Sequence, residues 1–186
     1  MKKFMNNENL KTATFANGCF WCTEAVFQRL EGVENVKSGF TGGKIKNPPY
    51  REVVQGRTGH AEGIQLQYDE KKISYKELLL VFFTTHDPTT LNRQQNDVGT
   101  QYRSAIFYHS EDQKNEALGM IEKLNDEIFE NRIVTEVTEA SAFYEAEFEH
   151  QNFYNNHTEQ PYCQIIIDPK LKKLKELFAD KLKTSA

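Results

Sequence analysis

Residues 12–22 read TATFANGCFWC, and the way this run divides decides the fold. Thr12 to Phe15 alternate polar and apolar side chains, which is the period of a half-buried strand, and the run halts at Asn17-Gly18, a turn signal. A strand therefore delivers Cys19 to the first turn of a helix that runs to about Leu30. Two large aromatics, Phe20 and the only tryptophan, Trp21, stand between Cys19 and Cys22.

Outward from that unit, Val33 to Phe40 reads as the next strand. The Gly- and Pro-rich stretch TGGKIKNPPYREVVQGRTGH (41–60) reads as a long ordered loop, the kind of segment that carries function. Ile64, Leu66 and Tyr68 alternate with Gln65 and Gln67, a half-buried strand over 63–68. Ser74 with Glu77 and Ser110 with Gln113 predict two capping boxes, each opening a helix. The first helix gathers Leu78, Leu79, Phe82 and Phe83, and the second Ala117, Ile121, Leu124 and Ile128. Strands are expected near Arg103–His109 and Ile133–Val137. Asp168-Pro169 reads as an N-cap with proline at N1, opening a tail helix with Leu171, Leu174, Phe178 and Leu182 on one face. The order β-α-β-β-α-β predicts an α+β protein, a two-layer ferredoxin-like α/β sandwich with helices against one sheet. One domain over 1–186 is expected, with a core at about 12–168 and the tail helix at about 168–183.

Bulk properties narrow the function classes. The net charge is −4, with acidic and basic residues mixed along the chain, so the basic stripe that nucleic acid requires is missing. MKKFMNNENL has two lysines but no apolar segment, and so is not a secretory signal. No run approaches 18 apolar residues, which argues against a membrane span. Three cysteines in 186 residues do not make a disulfide scaffold. In a reducing cytoplasm, the expected location, such a set is catalytic or metal-binding.

At a strand–turn–helix junction, free N–H groups and the helix dipole are expected to lower the Cys19 thiol pKa from about 8.5 toward neutrality. Cys22 lies on the same helical side, so a thiol–disulfide exchange pair is physically possible. Zinc needs a second ligand pair, and one CxxC plus lone Cys163 and scattered histidines does not supply it; no metal is expected. Adjacent helix positions point about 100° apart, so Phe20 and Trp21 cannot easily enter one core. At least one is expected to line a rim beside Cys19, where an aromatic surface suits a methyl group or a thioether sulfur.

The stretches GCFWC, SGFTGG, NPPYREVVQGRTGHAEGIQL, HDPTTLNRQQNDVGTQYRSAIFY and EHQNFY closely resemble the peptide methionine sulfoxide reductase A family, over about residues 12–168 and with the spacing between motifs kept. The resemblance implies a thiol enzyme that reduces methionine-S-sulfoxide, in oxidised proteins or free, to methionine. It also implies an α+β sandwich core, no cofactor, and an external thiol reductant such as thioredoxin. A monomer is expected. The runner-up activity is thiol–disulfide exchange by Cys19 and Cys22.

Such a reaction requires a thiolate to attack sulfur and an acid to protonate the S=O oxygen before it can leave. Cys19 is the expected nucleophile, becoming a sulfenic acid. Glu62 of GHAEG matches the family's acid, a carboxyl whose pKa burial must raise. Tyr50 and Tyr102 match the two tyrosines expected to hold the sulfoxide oxygen, and Asp97 is read as orienting the site. Phe20 and Trp21 are expected to form the methyl pocket, His86 and Asp87 to shape a loop stiffened by Pro88, and His150 and Gln151 to add polar walls. Cys163, where the family places its resolving cysteine, is the favoured partner for the sulfenic acid, on a polar segment that could swing it inward. Cys22 is the second relay. The family commonly has glycine at Cys22, tyrosine at Phe40 and glycine at Pro161. Those departures add a thiol to the helix, suggest that position 40 packs, and stiffen the approach to Cys163.

Overall fold

The computed structural model describes residues 9–184. Residues 1–8, on which the reading of the N-terminal segment rests, lie outside the described residues. Strand β1, Leu10–Asn17, is longer than its alternating stretch and is buried on both faces from Ala13 onward. It ends where Gly18 adopts φ +106°, a conformation costly for any residue with a Cβ. A Cβ there would also meet the Gln94 side chain at 2.8 Å. Helix α1, Phe20–Phe27, follows at once, and the Thr23 hydroxyl donates back to Asn17 Oδ1 at 2.6 Å, tying helix to strand.

The chain continues through β2 (Val33–Thr41), the helical turn α2 (Tyr50–Val53), β3 (Ala61–Asp69), α3 (Tyr75–Thr84), and a small hairpin of β4 (Arg93–Gln94) and β5 (Asp97–Val98). It then forms β6 (Ser104–Tyr108), α4 (Glu111–Leu124), β7 (Glu136–Glu139), β8 (Tyr144–Glu145), the turn α5 (Phe153–Asn156) and α6 (Asp168–Phe178). The main sheet has the order β7-β6-β1-β3-β2-β8. Its four central strands, β6-β1-β3-β2, pair antiparallel with one another, giving the expected ferredoxin-like arrangement. β7 joins β6 in parallel after the α4 crossover, and β8 extends the opposite edge.

The main core lies between the sheet and its helices, with Phe15, Phe27, Ile64, Leu78, Phe82 and Ile106 all without exposed surface. The Ser74–Glu77 capping box is reciprocal, as expected. The second is not: Ser110 accepts from the Gln113 N–H, but the Gln113 carboxamide accepts from His109 N instead of returning to Ser110. Its amide group reaches the Thr12 carbonyl of β1, so tertiary pairing outcompetes the local cap. Ile128, expected on the buried face of α4, is 60% exposed because the helix widens into a π turn over Asn125–Phe129, and Met120 takes the buried role. Asp168 is no N-cap. A π turn from Cys163 to Ile167 runs directly into α6, so Asp168 is already helical and accepts from the Tyr154 hydroxyl. Leu171 and Leu174 dock α6 on the core, and beyond the helix Leu182 bridges to Leu30.

Candidate active site

The sheet topology brings four strand ends together. β1 delivers Asn17 opposite Ser104 at the start of β6, and Phe40 near the end of β2 pairs with Glu62 at the start of β3. Cys19, half-buried at the N-cap of α1, sits over this junction. Its carbonyl accepts from the Cys22 and Thr23 N–H groups, closing the first turn. Behind it, the buried Gln94 clamps the loop after α3 through two hydrogen bonds to the Asp87 backbone, both 2.9 Å.

Glu62 is 1% exposed. One carboxyl oxygen accepts from the Phe20 N–H at 3.2 Å, and the other has no partner among the described residues. Burial, opposed by that N–H and reinforced by the charges of Asp97 and Cys22, raises its pKa to about 8. Near neutrality the group is a carboxylic acid. This is the environment an acid catalyst requires.

Cys19 departs from expectation. Its pKa is raised, first by burial, then by the neighbouring Cys22 thiol and by the Glu62 charge; the Trp21 N–H opposes this and is outweighed. Cys22 is shifted the other way by the same pairing, against the effect of burial. The short helix does contribute a favourable N–H, but desolvation of the thiolate exceeds it.

The two aromatics divide their work. Phe20 has no exposed surface. It packs with Phe40, Val53 and Ala146. Trp21 is partly exposed. Its indole lies flat on Phe153, 3.7 Å between centroids and 6° between planes, and its N–H donates to His150 Nδ1 at 3.3 Å. Tyr50 faces His150 at 4.2 Å between ring centroids. The Tyr50 and Tyr102 phenols are half-buried, and their pKa values are raised by burial, with the Glu62 and Cys19 charges adding to it. His150 contributes to the wall. Gln151 does not: its carboxamide grips the Ser38 backbone N–H and carbonyl of β2 at 2.9 and 2.8 Å. His86 is buried, bonded to the Phe82 carbonyl and the Ser104 hydroxyl, with burial lowering its pKa to about 3. It is loop architecture, as is Asp87, which caps Thr89.

Cys163 does not sit on a loose segment. It has no exposed surface and belongs to the main core, at the start of the π turn before α6. The residue before it, Tyr162, is the one that reaches the site. Its hydroxyl donates to Asp97 at 2.9 Å and lies 3.7 Å from Cys22 Sγ, while its ring meets Trp21 edge-on. Tyr162, Phe153 and Glu24 were not singled out from sequence. Glu24 is 2% exposed and accepts from the Asn152 and Phe153 N–H groups, thereby fixing the ring on which Trp21 lies. A lone acid inside the buried run FWCTEAVF is the signal that could have found it.

A half-buried thiol with a buried one in the first turn of the helix it caps, a neutral carboxylic acid with a free oxygen and two half-buried phenols define a thiol-dependent oxidoreductase of the ferredoxin-like α/β class. The chain belongs to the peptide methionine sulfoxide reductase family, whose sequence profile matches residues 11–182. It is 54% identical to the peptide methionine sulfoxide reductase MsrA of Sulfolobus acidocaldarius, over 92% of this chain and 97% of that protein. To MsrA of Deinococcus radiodurans it is also 54% identical, over 92% and 84%. Among solved structures, the reduced form of Mxr1 from Saccharomyces cerevisiae superposes with a TM-score of 0.77 at 33% identity, covering 85% of this chain and 91% of that one. Mxr1 in complex with Trx2 matches with a TM-score of 0.55 at 26% identity, over 81% and 91%. Among the described residues, no helix is long and apolar enough to cross a membrane.

Proposed function

We propose that this chain reduces methionine-S-sulfoxide, protein-bound or free, with Cys19 as nucleophile and Glu62 as general acid. The observation that carries the reading is the unpartnered oxygen of the buried, protonated Glu62, tethered to the same turn as Cys19. The S-methyl group rests against the Trp21 indole, with Phe20 behind it. The sulfoxide oxygen points to Glu62 and the Tyr50 and Tyr102 hydroxyls. Cys19 attacks sulfur while Glu62 protonates the oxygen. Attack forms an S–S bond; the hydroxyl then passes from the methionine sulfur to the Cys19 sulfur as the S–S bond and the methionine S–O bond break, so methionine leaves and Cys19 becomes a sulfenic acid. The Cys19 thiol proton is free to replace the one Glu62 gave.

Cys22 is the first thiol to close on the sulfenic acid, because it stands in the first turn of the helix that Cys19 caps, whereas Cys163 has no exposed surface and lies in the main core. This reverses the order expected from sequence and makes Cys163 the relay. A thioredoxin-type dithiol regenerates the enzyme, as the Mxr1–Trx2 complex supports. Asp97 orients the site through Tyr162. Incubating the protein with dithiothreitol and each resolved epimer of methionine sulfoxide tests the reading. Methionine should form from the S epimer alone and vanish in Cys19→Ser. Methionine from Cys19→Ser within tenfold of the parent rate sinks the assignment.

A further inference from the structure

Cys22, in α1, is 5% exposed, so its thiol proton has little water to leave through. The hydrogen-bond partner of its sulfur is the Tyr162 hydroxyl, at 3.7 Å. Tyr162 comes from a segment 140 residues away, at the entrance to the π turn before α6. Its ring is held edge-on to Trp21, 5.8 Å between centroids and 83° between planes. The same hydroxyl donates to Asp97 Oδ2 at 2.9 Å. Asp97 opens β5, pairs with Gln94 across the hairpin, and is partly exposed. Three separate elements therefore converge on one oxygen.

The direction of these bonds follows from where the protons are. A phenol has one O–H, and Tyr162 gives it to Asp97, so toward Cys22 the oxygen can only accept. The thiol S–H thus points at Tyr162. Both bonds run the same way, from Cys22 through Tyr162 to Asp97. Burial, with the charges of Cys19, Cys22 and Asp97 adding to it, raises the Tyr162 pKa, so the phenol hands on a proton only as it receives one. The other titratable groups around Cys22 are Cys19 on its own helix, Glu62 on β3, Cys163 in the π turn and Lys170 on α6. The Lys170 ammonium is given to the Thr85 carbonyl.

We propose that Tyr162 and Asp97 form the proton path of the second half-reaction: as Cys22 closes on Cys19, its thiol proton passes to the Tyr162 oxygen while the Tyr162 proton passes to Asp97. The inference rests on the reading that Cys22 closes the first disulfide. The Cys22 sulfur, freed of its proton, attacks the sulfenic sulfur of Cys19. An S–S bond forms, the S–O bond breaks, and hydroxide leaves as water with a proton from Glu62. Cys22 is oxidised from thiol to disulfide, and the sulfenic sulfur is reduced to it. One proton leaves Cys22 and one joins the hydroxide, so the sum releases water alone. The proton that the partly exposed Asp97 gains returns to Glu62 through solvent. When a dithiol later attacks the more exposed Cys19 sulfur, the path runs backwards and reprotonates Cys22 as it departs. The tyrosine ahead of Cys163 thereby serves the extra thiol of α1.

The test uses the full chain and separates the two half-reactions. After one addition of S-sulfoxide and an acid quench, released methionine reports the first step, and the disulfide-linked Cys19–Cys22 peptide reports closure. Tyr162→Phe keeps the ring beside Trp21 but removes the path. At pH 6 its closure should slow about 10²-fold, the scale of a lost positioned base, and about tenfold more than its methionine release. Its closure rate should then rise about tenfold per unit from pH 5 to 7, because a thiolate must form in advance, while the parent's changes less than about threefold. Asp97→Asn, which still accepts the Tyr162 hydroxyl but takes no proton, should show the same slope and serves if Tyr162→Phe does not fold. A closure profile as flat as the parent's in either variant, or equal losses of closure and release, overturns the proposal. A Cys22→Ser enzyme that closes its disulfide at the parent rate overturns the Cys22 reading, and the path with it.

Discussion

The carboxyl of Glu62 accepts the backbone N–H of Phe20 through one oxygen, at 3.2 Å, and keeps the other buried and unpaired. The acid on β3 is thus fixed to the residue that follows the nucleophile on α1. Its free oxygen is the proton-bearing end, because the N–H engages the acceptor.

Replacing Glu62 by Gln preserves shape and one hydrogen bond but removes the transferable proton. Methionine release should slow by about 10²-fold or more, the usual scale for a positioned acid. The parent's first step should decline as pH rises past about 8, where Glu62 loses its proton, and the variant's deficit should narrow as pH falls. Single-turnover methionine release across pH 5–9, quantified by chromatography, gives both profiles. A deficit that does not change with pH assigns Glu62 a structural role.

The same shift makes a stability prediction. Between the ordinary carboxylate value of 4.5 and about 8, the native protein holds a proton that the unfolded chain has released. Stability contributed at this site therefore falls as pH rises through that window, by up to about 1.4 kcal/mol per pH unit. Glu62→Gln should lack this slope and gain on the parent between pH 5.5 and 8. Urea unfolding midpoints at the two values measure it, and a constant difference between the proteins contradicts the buried neutral carboxyl.

The resolving order is open to direct thiol mapping. Cys22→Ser should release one methionine per chain and then accumulate a sulfenic acid that dimedone traps. Cys163→Ser should still form the Cys19–Cys22 bridge at the parent rate and fail in recycling by thioredoxin. A Cys163→Ser protein that instead accumulates the sulfenic acid restores Cys163 as the first partner.

Phe20 and Trp21, adjacent in sequence, should fail in different ways. Phe20→Ala empties a fully buried site and should cost about 3–5 kcal/mol of stability. Trp21→Ala removes a partly exposed ring and should raise KM about tenfold with little change in kcat, the signature of lost uniform binding. Phe153→Leu, which removes the surface beneath the indole, should shift KM in the same direction. An unchanged KM in both variants argues against the methyl pocket.

The strand–turn–helix at Cys19, the Ser74 capping box and the four central strands were legible in the sequence because each rests on local chemistry. A positive φ at Gly18, a side chain three residues from the N–H it caps, and a period of two in burial are written in consecutive residues. The cysteine chemistry was not legible in this way. The sequence predicted a lowered Cys19 pKa from the helix start alone, whereas burial and the Cys22 and Glu62 partners raise it. Desolvation depends on everything packed around a group, and the turn itself is a minor part of that. Likewise the sequence determined that Cys22, Cys163 and a lysine-rich tail helix exist. Only the tertiary structure decided that Cys163 is sealed in the core, that Tyr162 joins Asp97 across 65 residues, and that Lys170 donates to the Thr85 carbonyl. Contacts between such distant segments are set by which helix faces the sheet buries, a property of the folded chain as a whole.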